Sequence, residues 1–333
     1  MNIPAHQKVR TVNGFKTFSV RSVCLLAAST LYGTVFVVVP NDLMNTEGNG
    51  GSTFPFFIEY FGRLSSMRYQ QVYDASQFSS VGTNGGYITD LIFRADGGSK
   101  RTGNIITNVQ INLSTTSKSP DGLSSVFSDN VGDDETIVYG PKALTFAGGG
   151  GGRQEPLDMF MSLDKPFYYN PSAGNLLLDV RNNTGGMFDP FSQDHSLDAS
   201  GILGDSISLV YATSVTNSSG TTGTGGLVTG FSIGHPELAI RQATNSVVIS
   251  WDRGFRVFDL QSSDNLGPQS AWRSITNGIA TNAFYQWYTF PLDTAKRAQF
   301  FRLSCLTCRG AVVANQAVHK NDSIESISRE RKE

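Results

Sequence analysis

The stretch "NIITNVQINLSTT", Asn104 to Thr116, sets Val109, Ile111 and Leu113 against Asn108, Gln110 and Asn112. An apolar period of two marks a strand with one dry face and one wet face. The same rhythm runs outward in both directions. "MRYQQVYDA" alternates Tyr69, Gln71 and Tyr73 against Arg68, Gln70 and Val72, and "YITDLIFRA" carries Ile88, Leu91, Ile92 and Phe93. Toward the C-terminus come "TIVYG", "LDMFMSLDKPFYY", "NLLLDVRN", "SISLVYA" and "GLVTGFSI", separated by Gly-, Pro- and Asn-rich breaks. No stretch keeps a helical period, and only "DASQFSSV" is partly helical in character. Short strands joined by turn clusters predict an all-β fold, a jelly-roll-like antiparallel sandwich.

The pattern resets near His235 and Pro236. From Leu238 to Leu306, shorter runs such as "SVVISW", "YQWYTFPL" and "AQFFRLSC" predict a second, smaller β-sandwich of the Ig or fibronectin kind. The expected division is residues 1–45 for a leader or anchor with its linker, 46–235 for the large sandwich, 236–306 for the small one, and 307–333 for a charged, disordered tail. A chain of 333 residues suits that division, at roughly 150 residues per domain.

Lys8, Arg10, Lys16 and Arg21 precede the apolar run "VCLLAASTLYGTVFVVV", Val23 to Val39. A basic start followed by an apolar segment reads as a signal sequence. An uncleaved anchor over residues 23–39 is the alternative, because a spanning helix needs at least about 17 residues. Either reading places the chain outside the cytoplasm, secreted or at the cell surface. The 26 basic and 28 acidic residues nearly cancel, so no field recruits nucleic acid, and membrane contact is expected only through the N-terminal segment. Cys305 and Cys308 form one C-x-x-C without the second ligand pair that zinc requires. An oxidising compartment leaves their pairing open.

Four carboxylates crowd the stretch "SDNVGDDETIVYGP", Ser128 to Pro141: Asp129, Asp133, Asp134 and Glu135. An EF-hand loop fails here, because the third position counted from Asp129 is Val131. In an extended chain the neighbours Asp133 and Asp134 point apart. The stretch therefore reads as a solvated turn, with a structural calcium held by Asp129, Asp133 and Asp134 as the alternative. Asp179 is expected to face away from Leu178 and Val180. His195 stands beside Asp194 without the nucleophile elbow of a hydrolase. No catalytic residue is singled out. Aromatic clusters suggest carbohydrate contacts instead, since a ring face stacks on the C–H face of a sugar. The candidates are Tyr168 and Tyr169 in "FYY", and Tyr285 and Trp287 in "YQWY"; Trp251 and Trp272 are expected in the small core.

Taken together, "RYQQVYDASQFSS", "YITDLIFRAD", "VQINLSTTSKSPDGLSSVFSDNVGDDETIVYGP" and "PFYYNPSAGNLLLDVRN" resemble an exported β-sandwich domain of Verrucomicrobia- and Planctomycetes-type bacteria, found in PEP-CTERM-associated proteins. The resemblance covers roughly Arg68 to Phe231. The segment with "LQSSDNL" and the closing "FFRL" is similar to a short C-terminal β-domain common in the same exported proteins. The chain departs from them in lacking a Pro-Glu-Pro tail followed by an apolar helix. The resemblance implies export and two domains, and brings no catalytic residue. The resulting expectation is a non-catalytic surface or matrix protein that binds polysaccharide or other envelope components. A glycan hydrolase or lyase, with carboxylates in a sandwich cleft, is the alternative.

Overall fold

The computed structural model describes residues 34–57, 66–97, 102–149, 152, 154–184, 187–188, 196–243, 245–265, 271–291, 298–305, 315–319 and 324–326. The strands up to Gly234 build two facing antiparallel sheets. One has the order β1 (Val35–Val39), β14 (Thr229–Gly234), β4 (Gly86–Phe93) and β7 (Met159–Tyr169). The other has the order β12 (Thr221–Gly223), β11 (Ile207–Ala212), β3 (Met67–Tyr73), β8 (Asn175–Asn182), β5 (Thr102–Thr116) and β6 (Thr136–Gly148). The short β9 (Met187–Phe188) pairs with β5. A small third sheet joins β13 (Gly226–Leu227), β10 (Leu197–Ser200) and β2 (Gly50–Ser52). The all-β sandwich read from the alternation is the fold.

The alternation places the core as expected. Val109, Ile111 and Leu113 of β5 meet Leu178 and Val180 of β8 and Tyr69 and Tyr73 of β3, facing Ile88, Leu91, Phe231 and Met161 from the opposite sheet. Phe78, from the 3-10 turn Ala75–Val81, plugs one end, its ring edge-on to Tyr169 and Phe231. Asp74 caps that turn through the Ser76 N–H, as a short polar side chain does at a helical start.

Three expectations require correction. The first concerns the N-terminal apolar run. Its last five residues are strand β1, paired with β14 in the register Val35↔Ile233 to Val39↔Thr229. Val37 and Val39 enter the core, and Val38 on the other face is also fully buried. The segment beyond β1 is no linker. Buried Arg94 donates to Asp198 at 2.6 Å and to the carbonyls of Leu43 and Thr46, while Asp198 accepts the Gly48 N–H at 2.7 Å. Residues 34–45 therefore belong to the large sandwich. Residues 1–33 lie outside the described residues.

The second correction concerns the wet face of the strands β3, β8 and β5. Residues 117–135 fold back over it. Leu123 and Phe127 from that segment cluster with Val72, Leu177, Val210 and Ala212, with Val131 packed alongside. Gln70, Asn112 and Asp179, the polar positions of the alternation, are buried beneath this cover.

The third correction concerns the tail. Asn315–His319 and Ile324–Ser326 are strands, β22 and β23, and they add to a sheet rather than trailing free. That sheet has the order β18 (Arg273–Ser274), β17 (Asp259–Ser263), β21 (Ala298–Ser304), β22, β23. It faces β15 (Ala239–Ala243), β16 (Ser246–Asp252), β20 (Tyr285–Pro291) and β19 (Ile279–Thr281). Val247, Ile249, Trp251, Leu260, Phe301 and Leu303 fill the space between these two sheets.

The two sandwiches belong to one compact unit, Tyr32–Glu333. Tyr87 of β4 is buried in the small sandwich's cluster, edge-on to Phe255 at 6.0 Å and Phe258 at 5.5 Å. At Gly254 an added Cβ would lie 2.9 Å from Thr89 Cγ2, so a glycine lets the backbone touch β4 there. Arg256 donates to the Leu163 carbonyl at 2.6 Å and pairs with Asp164 at 3.2 Å.

Candidate functional site

The acidic stretch forms the rim of the cover over the large sheet, and its carboxylates are spent one by one. Asp129 accepts from Ser124 Oγ at 3.0 Å. Asp134 accepts the Thr115 N–H of β5 at 2.7 Å. Glu135 accepts from Asn112 Nδ2 at 2.5 Å and lies 3.6 Å from Arg181. Asp133 is exposed. At Gly132 an added Cβ would lie 1.7 Å from the Thr115 carbonyl oxygen, so only glycine lets the cover cross β5 this closely. Among the described residues no three acidic, histidine or cysteine side chains gather around one point, and Asp129, Asp133 and Asp134, the alternative calcium ligands, each stand in a different environment. A calcium ion needs six to eight oxygens converging on it. Asn130, which carries no charge, is the fully buried polar member of the stretch.

Asp179 does face away from Leu178 and Val180, but it is buried. Arg68 holds it through two bonds of 3.3 and 2.6 Å, and Gln70 Nε2 donates at 2.9 Å. Arg68 in turn lies 4.5 Å above the Phe127 ring. A carboxylate neutralised in this way anchors the cover and has no lone pair aimed at solvent. His195 lies outside the described residues. Burial holds His235 below its ordinary value against the pull of its hydrogen bond to the Gly85 backbone.

A cleft of about 180 Å³ opens among Pro40, Asp42, Glu47, Asn49, Ser200 and Asp205. It is smaller than the ~300 Å³ at which ligand pockets begin. Its carboxylates are largely occupied. Asp205 accepts from Ser200 Oγ at 2.6 Å and the Ile207 N–H at 2.9 Å, and Glu47 accepts the Glu155 N–H at 2.6 Å.

The four aromatic candidates separate. Tyr169 points into the large core, its hydroxyl donating to the Gly174 carbonyl at 2.9 Å. Tyr168 faces the other way, 5.3 Å from Tyr87 in the contact between the sandwiches, and donates to the Asn84 carbonyl. Tyr169 is thus fully buried and Tyr168 half-buried, so the two do not share one surface. Tyr285 and Trp287 lie together on β20. Their neighbours Tyr288 and Phe290 pack on the small core, so the alternation turns Tyr285 and Trp287 outward. Trp287 stands between Ser250 of β16 and Ala280 of β19, two small residues that leave its ring proud of the sheet. Tyr285 is 53% exposed, and Phe284 just before the strand is 72% exposed. Trp251 fills the small core as expected. Trp272 does not: it lies against Arg302, its ring centroid 4.3 Å from the guanidinium carbon.

The rings of Tyr285 and Trp287, two residues apart, are spaced by about 7 Å along the strand. That suits successive units of an extended chain molecule better than a small ligand in a pocket. No protein-family model, curated protein or solved structure matches the chain.

Proposed function

We propose that this is an exported surface or matrix protein that binds polysaccharide through the outer face of the sheet β15-β16-β20-β19. The observation that carries the reading is the outward pair Tyr285 and Trp287 with exposed Phe284 beside them. Exposed aromatic area of this kind is costly in water and is used where apolar ring faces meet a partner. Export draws on two further observations. Cys305 is disulfide-bonded, a state that persists in oxidising compartments; Cys308 lies outside the described residues. Strand β1 also claims Val35–Val39, which leaves only the twelve residues 23–34 of the apolar run for a leader. Twelve residues suit the apolar core of a signal peptide and fall short of a spanning helix.

The test is affinity electrophoresis of the full exported chain through gels containing neutral polysaccharides. Retardation is expected for at least one of them, and Trp287→Ala should abolish it while leaving the melting temperature within a few degrees. Unretarded migration in every gel, or retardation that Trp287→Ala does not reduce, removes the proposal.

A further inference from the structure

The opposite sheet of the small sandwich carries an oriented arginine, Arg302, with no carboxylate beside it among the described residues. Leu260, Phe301 and Leu303 turn into the core, so their strand neighbours Gln261 and Arg302, which face each other across β17 and β21, lie on the outer face. Arg302 Nε donates to Gln261 Oε1 at 2.7 Å. Gln261 is only 9% exposed, and its Nε2 donates to Ser274 Oγ at 3.3 Å, which fixes the direction of the amide. The guanidinium lies on the Trp272 ring at 4.3 Å. Two sides of the group are thus held, and both terminal nitrogens have no acceptor among the described residues.

Three other arginines among the described residues are matched. Arg68 has Asp179, Arg94 has Asp198, and Arg256 has Asp164. Arg302 is half-buried without a counterpart among the described residues, and burial holds its guanidinium below the usual arginine range. A partly desolvated cation without an anion is unfavourable, and an arriving anion relieves that cost. The surroundings favour one as well. Residues 235–305 carry seven basic and five acidic residues in a chain whose net charge is −2. The remaining donors of a guanidinium form a planar fork that fits a carboxylate with two parallel bonds.

We propose that Arg302, held by Gln261 and Trp272, receives the carboxylate of a uronic acid in an acidic polysaccharide. The saccharide part of this assignment rests on the carbohydrate reading above; the carboxylate part rests on Arg302 alone. The exposed edge of Trp272 and the Ser274 hydroxyl supply the apolar and polar contacts that a sugar ring adjoining the carboxylate would use.

The full chain, labelled with nitrogen-15, is titrated with trigalacturonate, with neutral xylotriose and with triglutamate, while the Arg302 Nε–H and Trp272 indole resonances are followed. Trigalacturonate should shift both. Arg302→Gln and Arg302→Lys should each weaken it about tenfold or more, the lysine variant because it keeps the charge and loses the fork. Trp287→Ala should leave this titration unchanged. Wild-type affinity for trigalacturonate in Arg302→Gln overturns the site. Equal affinity for triglutamate overturns its assignment to a saccharide. Loss of trigalacturonate binding in Trp287→Ala, with Arg302→Gln unaffected, transfers the ligand to the other face and likewise overturns it. Xylotriose binding lost only in Trp287→Ala supports two separate faces, so a failure of the neutral-glycan reading is distinguishable from a failure of this one.

Discussion

Asn130 anchors the cover over the large sheet at a single point. Its Oδ1 accepts the Ser124 N–H at 2.8 Å, and its Nδ2 donates to Ser124 O at 2.9 Å and to Gln70 Oε1 at 3.0 Å. Removing the amide strands buried polar groups on both sides, so Asn130→Ala should cost about 3 kcal/mol. Its exposed neighbour is the control: Asp133→Ala should stay within about 0.5 kcal/mol. Urea midpoints decide between them, and equal shifts would mean that the cover is held elsewhere. Asp164 is the residue with a readable pH dependence. Burial pushes its carboxyl up, but the bonds from Lys142 and the Gly140 N–H and the charges of Lys142 and Arg256 outweigh that and hold it below the usual value. A carboxylate held low in the folded state stabilises above its unfolded pKa of about 4, and that stabilisation fades as pH falls through the folded value. Asp164→Asn should therefore lower the melting temperature at neutral pH and converge with wild type in strong acid. A difference that persists unchanged at about pH 2 would show that the charge is not responsible.

Strand β1 shows what an element needs beyond its own residues. "VFVVV" has no alternation because Val37 and Val39 meet the core while Val38 is buried on the other face. A continuous apolar run is compatible with a doubly buried strand and with part of an apolar helix, and periodicity alone does not separate them. Val39→Ala should cost about 2 kcal/mol, and Val37→Ala slightly less, in denaturant unfolding. No change in either would place this strand outside the folded unit. Other elements were legible for the opposite reason. β3, β5 and β8 each send one row between the two sheets, so their period of two located that core correctly, and the same period in β20 placed Tyr285 and Trp287 on one face. The same period separates Tyr168 from Tyr169, which pack on the small and the large core respectively. The cover escaped prediction because alternation tells which side chains leave the core and not what later folds over them. Arg302 and Trp272 escaped because thirty residues separate them in the chain, and only sheet register brings them together.

At the scale of the molecule, the two sandwiches meet through Tyr87, Phe255, Phe258 and the Arg256 contacts. This contact should couple them into a single calorimetric transition. Phe255→Ala, at about 3 kcal/mol or more, should separate that transition into two. Two peaks already present in the wild type would mean that the sandwiches melt independently. The charges are partitioned along the same division, with ten basic and nineteen acidic residues between 34 and 234 against the basic excess that follows. An anionic polymer of the kind proposed for Arg302 would therefore be repelled by the large sandwich and admitted by the small one, and added salt should weaken both effects. The pairing of β1 with β14 has a consequence for timing. Among the described residues β1 finds its one sheet neighbour about two hundred residues later, a contact of very high order whose loop must close before any reward is gained. A chain that emerges N-terminus first from the ribosome therefore cannot complete this sheet until Gly234 has followed, and until then it exposes an unpaired apolar strand.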